Sequence, residues 1–232
     1  MLSVDSSAAP ASVCLSEDGK IIADYYLNTG FTHSQTLMAM VESVLTISGK
    51  AASDIDVYAV NCGPGSFTGV RIGVSAVKGM AFASDKPCIA VSTLQSMAYN
   101  CLGNHAVVCA CMDARRQQVY NAVFRVDREK ITRLCDDRAI AVDELLAELG
   151  NYDEEIILVG DGAALVYDSS ESDKIKLAPE SIRYQRASST AASALELYKR
   201  GEVISPAALM PTYLRLSQAE RERNAKQKGT GS

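Results

Sequence analysis

The sequence predicts an α/β protein with two lobes, each built on a mixed β-sheet. The first half begins with three strands, near residues 2–5, 12–16 and 20–27, and continues with alternating helices and strands. Consecutive strands pair as an antiparallel meander, whereas strands separated by helices pair in parallel through crossover connections. The second half starts with strands again, near 106–112 and 117–125. Because the pattern restarts, we expect the same kind of sheet twice.

Local signals support the elements of the first half. Asp18-Gly19 separates two alternating segments, and both residue types accept the positive φ of a tight hairpin turn. The apolar spacing after residue 32 predicts a helix. The glycine-rich segment 61–73 joins a buried strand to a second helix that ends near residue 82. This order is that of the ribonuclease-H-like core, which actin-like (ASKHA) proteins use twice.

The lobes are expected to be unequal in size. We assign residues 1–102 to the first lobe, residues 103–217 to a smaller second lobe and residues 218–232 to a flexible charged tail. The second half offers fewer clear elements, with its best helices at 142–149 and 188–200. It is therefore predicted to be a reduced copy of the first.

Composition excludes several classes of function. The chain has 232 residues and a formal net charge of −5, and an acidic surface is a poor binder of nucleic acid by itself. Its seven cysteines contain no CxxC pair, so we expect buried thiols in a reducing compartment. Its two histidines form no helical metal motif, and we predict no metal site. With no leader-like start and no membrane-length apolar run, we expect a cytoplasmic protein without membrane contact.

The second predicted helix has too few charged residues for a surface helix. Between residues 70 and 83 only Arg71 and Lys78 are charged, and small residues recur at helical spacing. The preceding helix also has more than one apolar stripe. Either the two helices cover each other, or they form half of an intermolecular helix bundle, and we favour the bundle.

Several loops are candidates for contact with a nucleotide. In actin-like phosphotransferases a carboxylate at the end of the first strand holds a metal-bound water, and a counterpart follows the first strand of the second lobe. Each candidate also has an ordinary interpretation as a turn residue or a loop cap. The candidates are Asp5, Ser6, Gly63, Gly65, Asp113, Gly160 and Gly162. We expect no resident cofactor, although a nucleotide bound within a complex stays open.

Seven segments, in order along nearly the whole chain, resemble the bacterial TsaB (YeaZ) family. The most specific is GPGSFTGVRIG at 63–73. The supporting segments are LSVDSS at 2–7, HSQ at 33–35, AVKG at 76–79, VSTL at 91–94, MDARR at 112–116 and PTYLR at 211–215.

The resemblance implies a non-catalytic role. TsaB proteins are paralogues of TsaD, which transfers a threonylcarbamoyl group to the tRNA adenosine beside the anticodon and carries a His-x-x-x-His metal site. Here the position four after His33 is Leu37, so the chain follows the non-catalytic pattern. TsaB pairs with TsaD through two helices of the first lobe, TsaE joins them, and TsaC supplies the adenylate.

The resemblance and the excess of apolar helix surface therefore predict the same interface. We expect it to bind TsaD, to form a homodimer when TsaD is absent, and to reach tRNA only through the complex. The residues predicted to face the partner are His33, Leu37, Met40, Val41, Val44, Val70, Gly73, Val77 and Met80.

Two rival functions are weighed against this one. A small-molecule kinase or nucleotide-binding protein of the same fold would use the glycine loops and carboxylates named above. A metallopeptidase is disfavoured because the chain lacks enough histidine ligands.

Overall fold

The computed structural model of the chain describes residues 1–215, and two β-sheets form its framework. In the first sheet the strands lie in the order β3-β2-β1-β4-β5, with β1 antiparallel to β2 and parallel to β4. Asp18 and Gly19 both have positive φ in the β2–β3 turn, as the sequence predicts. The strands are β1 (Leu2–Asp5), β2 (Ala11–Glu17), β3 (Lys20–Leu27), β4 (Tyr58–Gly63) and β5 (Cys88–Ser92).

The second sheet repeats this topology. Its order is β11-β10-β6-β7-β8, with β9 paired to β7. β6 is antiparallel to β7 and parallel to β10, just as β1 is to β2 and β4. The predicted duplicated actin-like core is thereby confirmed. The strands are β6 (His105–Asp113), β7 (Gln118–Asp127), β8 (Lys130–Arg133), β9 (Arg138–Ala141), β10 (Ile156–Val159) and β11 (Ile175–Leu177).

Seven helices within residues 1–215 cover the sheets. They are α1 (His33–Ile47), α2 (Phe67–Ser84), α3 (Thr93–Ala98), α4 (Val142–Leu149), α5 (Ala163–Asp168), α6 (Glu180–Arg183) and α7 (Ala187–Lys199). α1 and α2 pack on one face of the first sheet, against alternate side chains such as Val4 and Val13. α3 and α7 pack on the opposite face, where Cys14 contacts Ala187 and Ala191. The first sheet is therefore the middle layer of three.

The predicted linear division of the chain is wrong for its last described part. The sequence places α7 in the second lobe, but the helix packs on the first sheet, where the Ala187 amide donates to the Ser12 hydroxyl at 2.7 Å. Ile204 then forms an antiparallel bridge with Cys88 at the edge of that sheet. The chain returns because the second face of the first sheet needs a cover that the first 102 residues do not supply in full. The predicted tail 218–232 lies outside the described residues.

Candidate partner surface and interlobe cleft

The inner face of α2 is fixed by the first sheet. Ser66 caps the helix, its hydroxyl accepting from the Gly69 amide at 3.3 Å. Val70, Val74 and Val77 are buried in the same cluster as β1 and β4. A Cβ atom added at Gly73 would lie 2.5 Å from the Ser6 hydroxyl oxygen, so this helix sits closer to the strand than a larger residue allows. This face belongs to the core of the monomer.

The residues that the sequence predicts to face a partner lie mostly on this inner side, and that prediction is corrected. Of the nine, only His33 and Met80 are half-buried, and His33 Nε2 lies 2.7 Å from the Ala8 carbonyl oxygen. The sequence assigns apolar positions of both helices to a partner, but the larger apolar side chains are stabilised most by covering the helices' own sheet. The seven that are buried within the monomer are Leu37, Met40, Val41, Val44, Val70, Gly73 and Val77.

The outer faces of α1 and α2 are exposed and nearly free of charge. We call the outer surface the exposed residues Met38, Ala39, Ser75, Gly79, Phe82 and Ala83. Met38 is 49% exposed and Phe82 is 77% exposed. A Cβ atom added at Gly79 would meet nothing within 4 Å. Glu42 is the only carboxylate of α1, and it is exposed one turn after Met38. An open surface with few charges and with small residues four apart allows another helix to approach closely.

Both charged side chains of α2 are used at its flank. Lys78 Nζ donates to the carbonyl oxygens of Ala207 and Leu209, at 3.0 and 3.3 Å. Arg71 Nε donates to the Tyr213 hydroxyl at 2.7 Å. Both charges of α2 therefore bond the end of the described chain, and Arg71, which is exposed, borders the outer surface.

A cleft of about 720 Å³ lies between the two lobes. Its walls come from the ends of strands in both sheets, with Ser7 and Gly65 from the first lobe and Asp113 and Asp161 from the second. The carboxyl ends of parallel strands are the usual ligand-binding edge of such sheets. This cleft is where the predicted nucleotide loops have to act.

Two of those candidates, Asp5 and Ser6, are buried and already bonded. The Asp5 carboxylate accepts from the Ser7 amide and hydroxyl, at 2.8 and 2.7 Å, and from the Asn61 side-chain amide. Burial raises the pKa of the Asp5 carboxyl group, and these hydrogen bonds act in the opposite direction. The Ser6 hydroxyl donates to the Gly69 carbonyl oxygen at 2.8 Å. In this arrangement both residues fix β1 against β4 and α2, and neither lines the cleft.

The four glycine candidates are packed against the chain's own backbone. Gly65 and Gly160 have positive φ, and a Cβ atom at either would collide with the carbonyl oxygen of Ser7 or Cys111, respectively. These packing contacts account for glycine without a phosphate. Gly63, at φ 121°, would collide with the Thr212 carbonyl oxygen, and Gly162 would meet Met112 and Asp113 backbone atoms at 2.8–2.9 Å.

Asp113 is the predicted nucleotide candidate whose side chain lines the cleft. Its carboxylate accepts from the Arg115 amide at 2.7 Å and lies 3.2 Å from the Arg115 guanidinium. Asp161 is placed beside it, the Asp113 amide lying 3.4 Å from an Asp161 carboxylate oxygen. Sequence reasoning located this loop by its glycines and did not single out the aspartate between them.

The thiols have no ligand-like arrangement. All seven cysteines are free, and six are buried. Burial raises the pKa of the Cys14 and Cys62 thiols to about 12, so both stay protonated at neutral pH. Within residues 1–215, no group of three or more His, Cys, Asp or Glu side chains is placed to hold a metal ion. No helix in that part of the chain is long and apolar enough to cross a membrane.

Known proteins resemble the chain over nearly its full length. A family model described as TsaD, tRNA N6-adenosine threonylcarbamoyltransferase, matches residues 28–223. The tRNA threonylcarbamoyladenosine biosynthesis protein TsaB of Escherichia coli is 31% identical over 218 residues, covering 93% of this chain and 94% of that protein. The TsaB of Bacillus subtilis is 30% identical, covering 95% and 96%. A solved structure, YeaZ from Pseudomonas aeruginosa, superposes with a TM-score of 0.80 at 27% identity, covering 92% of this chain and 98% of that one.

The match extends through both lobes and includes the glycine-rich turn, the two long helices and the interlobe cleft. The chain therefore belongs to the TsaB (YeaZ) family.

Proposed function

We propose that this chain takes part in tRNA threonylcarbamoyladenosine biosynthesis as a non-catalytic subunit that pairs with a TsaD transferase through its outer surface. The names of its relatives place them in that pathway. The observation that carries the proposal is the outer surface, whose six residues are exposed and uncharged. Burying an apolar side chain contributes about 1.5–3 kcal/mol, and Phe82 and Met38 are unburied in the monomer.

Relatedness explains why TsaD is the favoured partner. A TsaD transferase from Jannaschia is 44% identical to this chain over 66 residues, or 28% of the chain. If the related transferase carries the same kind of helix pair, the two pairs can meet about a pseudo-two-fold axis. The same geometry permits a homodimer when TsaD is absent. We place TsaE and tRNA in contact with the assembled pair.

The residues of the chain favour a supporting role over catalysis. The buried Asp5 carboxylate is bonded to Ser7 and Asn61, so it does not present an oxygen to the cleft. Leu37 stands four residues after His33, at the place of a second histidine in the transferase pattern, and it is 1% exposed. We propose that the transferase reaction is carried out by TsaD.

The test places one charge on the outer surface. Gly79→Arg has room in the monomer, and we expect it to abolish co-purification with TsaD because it would bury an unpaired charge. A control with the same added charge is Ala147→Arg, on the exposed side of α4. Undiminished capture of TsaD by a folded Gly79→Arg chain would overturn the proposal.

Reconstitution tests the supporting role itself. TsaC, TsaD and TsaE are assayed for modified tRNA without this chain, with the wild-type chain and with Gly79→Arg. We expect full modification only with the wild-type chain. Equal yield without it would contradict the role.

A second candidate, nucleotide binding within the complex, rests on the cleft with Asp113 and Asp161. Two carboxylates of that kind bind a nucleotide only with a cation between them and the phosphates. Calorimetric titration with Mg-ATP, of the isolated chain and of its TsaD complex, shows whether a nucleotide binds only in the complex or also to the chain alone. Tight binding and turnover by the isolated chain would favour the kinase alternative.

A further inference from the structure

The last described residues, 211–215, run across the mouth of the interlobe cleft and contact both lobes. We call them the strap. The Thr212 amide donates to the Cys62 carbonyl oxygen at 2.7 Å, and the Thr212 carbonyl occupies the space left by the missing side chain of Gly63. A larger residue at 63 would push the strap away, so the turn that sequence analysis singled out is shaped to receive it.

An aromatic stack holds the middle of the strap to the first lobe. The Tyr213 ring lies on the Phe67 ring with centroids 4.9 Å apart. The Arg71 guanidinium lies 3.8 Å from the Phe67 centroid, and its Nε donates to the Tyr213 hydroxyl. All of these groups belong to the strap or to the first two turns of α2.

The end of the strap is held by the second lobe. Arg215 donates to the Ala114 carbonyl oxygen at 3.0 Å and to the Gln118 side-chain oxygen. Its guanidinium also lies 5.9 Å from the Tyr120 ring. These partners flank the β6–β7 connection, in which Arg115, Arg116 and Gln117 all have positive φ. Three consecutive left-handed residues are strained, and Arg215 braces both ends of that run.

The chain is held firmly just before the strap and weakly along the strap itself. Leu209 is fully buried, and Lys78 bonds its carbonyl oxygen, so the chain is anchored just before the strap. From there outward Met210 is 63% exposed and Tyr213 is 43% exposed. Exposed polar contacts with little apolar burial open at low free-energy cost. The strap can therefore detach while Leu209 stays buried in the first lobe.

We propose that the strap is a releasable tie that couples the two lobes across the cleft: seated, it holds the α2 turn and the β6–β7 hairpin together, and released, it frees both. This inference does not depend on the identity of the partner. The strap also forms part of the cleft wall, since the cleft is lined by Thr212, Tyr213 and Arg215 among others.

Hydrogen exchange measured by mass spectrometry tests the tie, because Tyr213 and Arg215 contact different lobes. Tyr213→Ala removes only a first-lobe contact, and Arg215→Ala removes only second-lobe contacts. If the strap couples the lobes, each variant raises the amide exchange rate at least about tenfold in both the 63–69 turn and the 113–118 hairpin. Tyr198→Ala on α7 is the matched control, a tyrosine of similar exposure away from the strap, and it leaves both segments unchanged.

Two outcomes would overturn the tie. One is exchange that increases only in the lobe each variant directly contacts, and the other is no increase in either segment. Conservative variants cover the case in which an alanine variant does not fold. Tyr213→Phe keeps the ring stack and loses the Arg71 hydrogen bond, and Arg215→Lys keeps the charge and loses the two-pronged contact. Each is expected to give a smaller increase, still shared between the two segments.

Discussion

The two lobes share one sheet topology, but their covering helices differ in length and in surface chemistry. In the first lobe α1 has 15 residues and α2 has 18, whereas their counterparts α4 and α5 have 8 and 6. The exposed side of α4 carries Asp143, Glu144 and Glu148. On the exposed side of α2 the charged residue is Arg71, and the exposed residues beyond it, Ser75, Gly79, Phe82 and Ala83, are uncharged. The two lobes therefore share a topology but differ in their exposed helix surfaces. The acidic side of α4 is suited to contact with water, whereas the apolar side of α2 is suited to contact with another protein.

The largest expected effect separates the inner and outer faces of α2. Gly73→Arg forces a charged side chain against Ser6 and the sheet, and we expect it to lower the free energy of unfolding by more than about 3 kcal/mol. Gly79→Arg, six residues later and open to solvent, should change it by less than about 0.5 kcal/mol. Urea unfolding of both variants gives the comparison. Equal destabilisation by the two would refute the assignment of the faces.

The next effect compares exposed aromatic residues in the two lobes. Phe82→Asp should weaken binding to TsaD about 10- to 100-fold, since exposed aromatic residues often dominate interface energies. Tyr167→Asp changes the exposed aromatic residue of α5, which is 42% exposed, and should leave binding unchanged. Calorimetric titration of each variant with TsaD is the measurement. A loss with Tyr167→Asp and none with Phe82→Asp would place the partner on the second lobe.

A smaller effect concerns the backbone at Gly79. Gly79→Ala should raise the free energy of unfolding by about 0.5–1 kcal/mol, because alanine loses less conformational entropy in a helix than glycine does. The added methyl group meets no atom of the monomer. If the glycine serves close approach by a partner helix, the same variant binds TsaD less tightly. Higher stability with unchanged affinity would remove Gly79 from the interface.

The smallest effect concerns the charged side of α4. Glu148 pairs with Arg138, which also bonds the buried Asn121 side chain. Because Glu148 is about half exposed, Glu148→Ala should cost no more than about 1 kcal/mol of stability, and less at high salt. Binding to TsaD should not change. Weaker TsaD binding would mean that the acidic face of α4 is also part of the interface.

Much of the fold and part of the site could be predicted from local signals. The Asp18-Gly19 turn, the strands of the first lobe and the capped start of α2 are specified by residues close in sequence. Sequence analysis misses the short elements α5, α6, β9 and β11, because three to six residues carry too little periodicity to predict. For the site, seven of the nine residues assigned to the partner are buried against the first sheet, and binding by the outer faces of α1 and α2 stays a proposal.

The sequence by itself determined the duplicated sheet, the family and the scarcity of charge on α2, because turn chemistry, periodicity and motif order are local properties of the chain. Only the tertiary structure decided which face of α2 is open, since two apolar stripes on one helix are equivalent until a sheet covers one of them. It also decided that α7 returns to the first lobe and that Tyr213 and Arg215 span the cleft. These contacts join residues about 100 or more positions apart, and no local pattern encodes them.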